Sequence, residues 1–142
     1  MKTSIKISLF FVFFIALAGI GYALYLYNLK AKDLQTVKPD FVMSAIDLQK
    51  AFETDEKASS AKYINKIIEV RGEIVSVKPG EKNFLNISLR TGSDFSNINC
   101  TFPASSDTTL FKKGNQITLR GECSGFLMDV LLNNCAVIKN PK

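Results

Sequence analysis

Histidine and tryptophan are both absent from these 142 residues, and cysteine occurs only three times. Without histidine the chain lacks the commonest general base and the commonest metal ligand. Cys100, Cys123 and Cys135 show no Cys-x-x-Cys spacing, so no tetrahedral zinc set is built from sulfur either. The expectation is a non-enzymatic protein with no metal and no cofactor. A concentrated charge of one sign is missing as well. Of the eighteen Lys and Arg only Lys2 and Lys6 precede residue 7, and all thirteen acids follow residue 27, so residues 28–142 carry a net +3 with both signs interspersed. That is an ordinary solvated surface rather than the basic stripe of a dedicated nucleic-acid binder.

What the chain does have is an uncharged apolar run from Ile7 to Tyr27. As a helix it spans roughly the 30 Å of a bilayer's hydrocarbon core. Ala16-Leu17-Ala18 offers a signal-peptidase pattern behind Lys2 and Lys6, yet the apolar stretch continues through Leu24 and Leu26, with Tyr22, Tyr25 and Tyr27 resembling an interfacial belt. The reading is an uncleaved signal anchor at 7–27 whose partner is the lipid bilayer, with a short tail at 1–6 in the cytoplasm and the remainder outside it.

Residues 28–43 read as a polar linker, and 44–142 as one folded domain. Ser44 with Asp47 three residues on is a capping signature that starts a helix at Ala45, with Leu48, Ala51 and Phe52 on one face. That helix runs on or resumes through Ala58, Ala61 and Tyr63. Beyond Ile67 the period falls to two: Ile68, Val70, Gly72 and Ile74 share a face, then Leu85, Ile87 and Leu89, then Ile98, Cys100 and Phe102. A fourth strand carries Ile117, Leu119, Gly121 and Cys123, and Ser124-Gly125 reads as its closing turn. The fifth, about Met128 to Ile138, slips phase at Asn133-Asn134, which predicts a bulge. Five short strands with no βαβ alternation predict a mainly β domain with an N-terminal helix, a five-stranded Greek-key OB barrel, with an SH3-like barrel as the alternative.

The stretch Lys66-Ile67-Ile68-Glu69-Val70-Arg71-Gly72, then Cys100-Thr101-Phe102, then Arg120-Gly121-Glu122-Cys123-Ser124-Gly125 and Asp129-Val130-Leu131-Leu132-Asn133-Asn134-Cys135, resembles the tRNA-anticodon-like OB-fold family. The resemblance covers about Ser44 to Ile138 and implies a short bacterial protein, exported or membrane-attached, with one OB domain. The family's name reflects likeness of fold to anticodon-binding domains and implies no tRNA binding.

OB barrels bind ligands on the face and rim of their central strands, using aromatic and basic side chains when the ligand is an oligonucleotide. The expected ligand surface is the face and rim of the second and third strands with the loops 78–83 and 124–128; the candidates of that kind are Phe84, Arg90, Arg120, Phe126, Lys78 and Lys82, with Phe95 beside them, while Phe102 fits the core phase. Asp129 is placed to hold turn amides at Ser124-Gly125. Cys100, Cys123 and Cys135 share the inward phase and read as buried thiols or one disulfide with three pairings open. The leading expectation is a membrane-anchored, extracytoplasmic OB-fold binding or scaffolding module for a protein or other envelope ligand. Nucleic acid is disfavoured as a partner, and a single-stranded nucleic-acid module and a thiol or redox protein are the alternatives.

Overall fold

A computed structural model of the chain describes residues 2–28, 33–103, 106 and 108–138, the side chains of 2–9 and 27–28 excepted. The chain forms two compact units, Met1–Ala31 and Lys32–Lys142. The first is a single helix, α1 (Lys2–Asn28). Its described side chains, 10–26, are exposed all round the axis, Phe10, Phe13, Phe14 and Leu24 among them. A helix apolar on every side has no polar stripe to turn toward water. Among the described residues no helix is long and apolar enough to cross a membrane, the described side chains covering only 10–26 of α1. The side chains of Lys2, Lys6, Tyr27, Lys30 and Lys32, on which part of the expected orientation rests, lie outside the described residues.

The second unit is a closed barrel with two helices. Ser44 caps α2 (Ala45–Thr54), its hydroxyl accepting from the Asp47 amide at 3.1 Å, as the sequence signature predicts. Asp55 then caps α3 (Glu56–Tyr63) by accepting from the Ala58 amide at 2.9 Å. Leu48 and Phe52 of α2 are buried, but on α3 the packed face is Ser59 and Tyr63, while Ala58 and Ala61 face solvent. Ser59 is drawn inward by a 2.7 Å bond from its hydroxyl to the Ala51 carbonyl, which alanine spacing alone cannot reveal.

Among the described residues six strands follow the order β1 (Phe41–Ser44), β2 (Ile67–Pro79), β3 (Leu85–Arg90), β4 (Asn97–Phe102), β6 (Asp129–Val137), β5 (Gln116–Leu127). Antiparallel pairing of β2 with β5, Ile67 facing Glu122 through Glu73 facing Gln116, closes strands β2 to β6 into a five-stranded barrel. The core is the inward row predicted from alternation: Ile68, Val70, Ile74, Ile87, Leu89, Ile98, Phe102 and Leu119, together with all three cysteines.

Two features depart from the sequence reading. The stretch 28–43 contributes more than a tether, because Phe41 to Ser44 pair in parallel with Ile68 to Arg71 and Leu34 is buried. A four-residue strand followed at once by a capped helix is too short for its period to show. Ser124-Gly125 is also no turn. The ladder continues past it through a register shift between Cys123 and Gly125, and the chain reverses at Met128, whose φ is +65°. Gly125 therefore marks a bulge, a second use of glycine that composition cannot separate from a turn. The bulge expected at Asn133-Asn134 is present: Glu122 faces Asn133, Arg120 faces Ala136, and Asn134 has φ +52°.

Candidate functional site

On β3 and β4 the residues that alternate with the core point outward and form a polar ladder. Asn86 lies opposite Thr101, Ser88 opposite Asn99 and Arg90 opposite Asn97. The pairs are bonded across the strands, Ser88 Oγ to Asn99 Oδ1 at 2.8 Å and Thr101 Oγ1 to Asn86 Oδ1 at 3.1 Å. Asp129 secures one end of this ladder by accepting from the Asn97 amide at 2.8 Å and from Asn99 Nδ2 at 2.7 Å. Its expected role at the Ser124-Gly125 amides does not hold, because the reversal lies at Met128 and brings Asp129 beside β4.

The two ends of the face differ in chemistry. At the end where Leu85 pairs with Phe102, Lys78 on β2 and Lys82 and Phe84 in the turn 80–84 are all exposed, Phe84 at 42%. At the other end the β5–β6 hairpin tip, the loop before β4 and the α2–α3 junction enclose an open groove of about 680 Å³, with Glu53 and Glu56 on its helical side and Ser93, Phe95 and Phe126 to Met128 around it. Phe95 is 85% exposed, Leu127 78% and Met128 70%. Phe126 forms the groove's firm wall, its ring stacked on Phe52 with centroids 5.2 Å apart. Gln49 ties the hairpin to α2, its Nε2 donating to the Met128 carbonyl at 2.9 Å and to Glu53 Oε1 at 3.0 Å, and Ser96 Oγ reaches the same Glu53 oxygen at 3.0 Å.

The six residues proposed from sequence therefore do not converge. Phe84, Lys78 and Lys82 share the 80–84 end, and Phe126 lies at the groove. Arg90 is exposed and pairs with Glu73 at 3.4 Å. Arg120 is committed elsewhere. Its guanidinium donates to Glu69 at 2.7 Å and to the carbonyls of Val37 at 2.7 Å and Gln35 at 3.0 Å, fastening the segment before β1 to β5. The 124–128 loop, expected at the ligand rim, does line the groove with Leu127 and Met128. Gln49, Glu53 and the Asp129 contacts to β4 carry no local signal in the sequence.

Two of the thiols are held in their protonated form. All three are buried. Burial pushes the Cys100 thiol well up, as does contact with the Cys135 thiol, and burial raises Cys123 against a smaller opposing bond from the Gly125 backbone. Thiols shifted in this direction are poor nucleophiles at neutral pH, which counts against a thiol enzyme.

A five-stranded Greek-key barrel with a helical cap over its core and ligand-sized relief at its loops is an OB-fold barrel. The chain belongs to the tRNA_anti-like family, whose model matches residues 1–137. No curated protein matches it. Among solved structures it is similar to a "putative nucleic acid-binding lipoprotein" of Klebsiella pneumoniae, at 19% identity and a TM-score of 0.52, over 69% of this chain and 92% of that one. It is also similar to yeast Stn1 and Ten1, at 18% identity and TM-score 0.44, over 75% of this chain and 66% of that one. A "putative aspartyl-tRNA synthetase" of Leishmania major matches at 10% identity and TM-score 0.46, over 86% of this chain and 26% of that one. At such identities the likeness concerns the fold.

Proposed function

We propose that this chain is a membrane-anchored, extracytoplasmic OB-fold binding module, non-enzymatic, whose partner is a protein segment seated in the groove at the β5–β6 hairpin tip. The observation that carries this reading is the groove itself. Phe95, Leu127 and Met128 are large, apolar and exposed around it, and Glu53 and Glu56 stand on its rim. Clustered exposed apolar side chains beside carboxylates suit a partner that brings apolar side chains and a cation. The bilayer anchor is α1, because its residues 10–26 are uncharged and exposed on every side, and such a stretch is covered either by a large protein core or by lipid.

A photo-crosslinking residue in place of Phe95 or Leu127, in the full chain in its own membrane, tests this. Discrete protein adducts are expected at both positions and not at Lys82, and Glu53→Lys with Glu56→Lys is expected to abolish them. External protease is expected to digest the barrel while a cytoplasmic control survives. Adducts at Lys82 alone, or a protected barrel, would sink the reading.

A second reading, single-stranded nucleic acid, is favoured by Lys78, Lys82 and exposed Phe84 at the opposite end. The outward positions of β3 and β4 carry no aromatic ring for bases to stack on, and Asp129 adds an acid to the face. Oligonucleotide anisotropy that rises at low salt and is lost in Phe84→Ala would establish it.

A further inference from the structure

The barrel's shortest seam is the parallel pairing of β4 with β6, which extends over only Ile98 with Val130, Asn99 with Leu131 and Cys100 with Leu132. Just past that seam the β6 bulge turns Cys135 back toward it. The Cys135 thiol donates to the Leu132 carbonyl at 3.3 Å, and Leu132 is the residue in register with Cys100. The Cys135 thiol is near enough to Cys100 to add to the upward push that burial gives the Cys100 thiol. Cys123 is also in register with Leu132, but from the opposite side through β5, which sets it two strand spacings from Cys100. Two spacings are about 9.5 Å, beyond the roughly 7 Å that a disulfide tolerates between Cα atoms. Gly121 makes the room for the pair: a methyl group there would stand 2.7 Å from the Cys135 sulfur.

We infer that Cys100 and Cys135 close into an intramolecular disulfide that staples β4 to β6 when the chain folds in an oxidising compartment, leaving Cys123 as a free buried thiol. The two thiols give up two protons and two electrons to a disulfide-bearing oxidant, glutathione disulfide or a thiol–disulfide oxidoreductase. One thiolate attacks the oxidant's sulfur to form a mixed disulfide. The other displaces it, so that a new S–S bond forms and the oxidant leaves as two thiols. Both sulfurs are shut away in the folded barrel, so the exchange belongs to folding, and the finished bond is sheltered from reductants. Whether the cell supplies the oxidant depends on the extracytoplasmic location proposed above, but the pairing can be tested without it.

The full chain, reduced and unfolded in detergent, is refolded with glutathione disulfide, denatured without reductant, blocked with a maleimide and mapped by peptide mass. The expected result is one adduct, on Cys123, and one linked peptide pair containing Cys100 and Cys135. Cys123→Ala should leave no adduct and lose thermal stability on reduction, while Cys100→Ala should show two adducts and no stability change on reduction. Three adducts in the unsubstituted chain, or a bridge that includes Cys123, would overturn the inference.

Discussion

Arg120 joins three parts of the molecule through one side chain. It stands on β5, reaches Glu69 on β2 across the closing ladder, and donates to carbonyls of the segment 35–37. Its planar fork meets several acceptors at once, which a lysine ammonium on a flexible stem does not reproduce. Arg120→Ala strands a half-buried carboxylate and frees the segment ahead of β1. It is expected to lower stability by about 3 kcal/mol, with Arg120→Lys recovering only part, as read from denaturant midpoints at constant slope. Crosslinking at Phe95 should persist in the folded Arg120→Lys protein, which separates a structural role from a binding one. A cationic residue on an outward strand position looks the same in sequence whether it waits for a ligand or is fully engaged. The acceptors at 35 and 37 are more than eighty residues away along the chain.

At the scale of the element, the most constrained position is Gly121 in the bent middle of β5. A side-chain carbon there would meet Leu132 Cβ at 2.9 Å as well as the Cys135 sulfur. Neither can withdraw, since Leu132 is fully buried between its neighbours. Gly121→Ala is expected to lose about 1–3 kcal/mol by overpacking. Gly125→Ala, with nothing within 4 Å of the added carbon, should stay within about 0.5 kcal/mol. Thermal melts of the two variants side by side check this. The same element shows how far local pattern carries. Alternation reveals the inward phase of β5 up to Cys123, because burial of one face imposes a period of two. It does not reveal that the strand runs on to Leu127, because the ladder beyond the bulge is held by β6 and by Gln49 at the Met128 carbonyl.

For the whole molecule, the buried thiols make folding stability depend on pH in one direction. Cys100 and Cys123 have their pKa values raised in the folded state, so native barrel keeps protons that the unfolded chain gives up above its ordinary thiol pKa of about 8.5. Above that pH the unfolded state binds fewer protons, and the slope of unfolding free energy with pH is negative. The reduced protein is thus expected to be insensitive to these groups below about pH 8 and to lose up to about 1.4 kcal/mol per pH unit per thiol above pH 9. Melting temperatures of reduced wild type and Cys123→Ala between pH 7 and 10.5 check it, with the variant showing the shallower fall. In the oxidised protein the Cys100 contribution should vanish, since a disulfide has no proton to lose.

Sequence alone determined the apolar run at 7–27, the capped start of α2 at Ser44, the phase of every barrel strand and the bulge at Asn133-Asn134. Each of these is written in neighbours within a few residues, where helical or strand geometry imposes its period. The tertiary structure decided what those elements do for one another: β1 as an added strand, reversal at Met128, Arg120 as a fastener, Asp129 as the anchor of the polar ladder, and Cys135 rather than Cys123 beside Cys100. These depend on which strands lie side by side once the β2–β5 ladder closes the barrel. Closure brings together residues that no local window contains, and with them the acidic, apolar groove in which a partner can be sought.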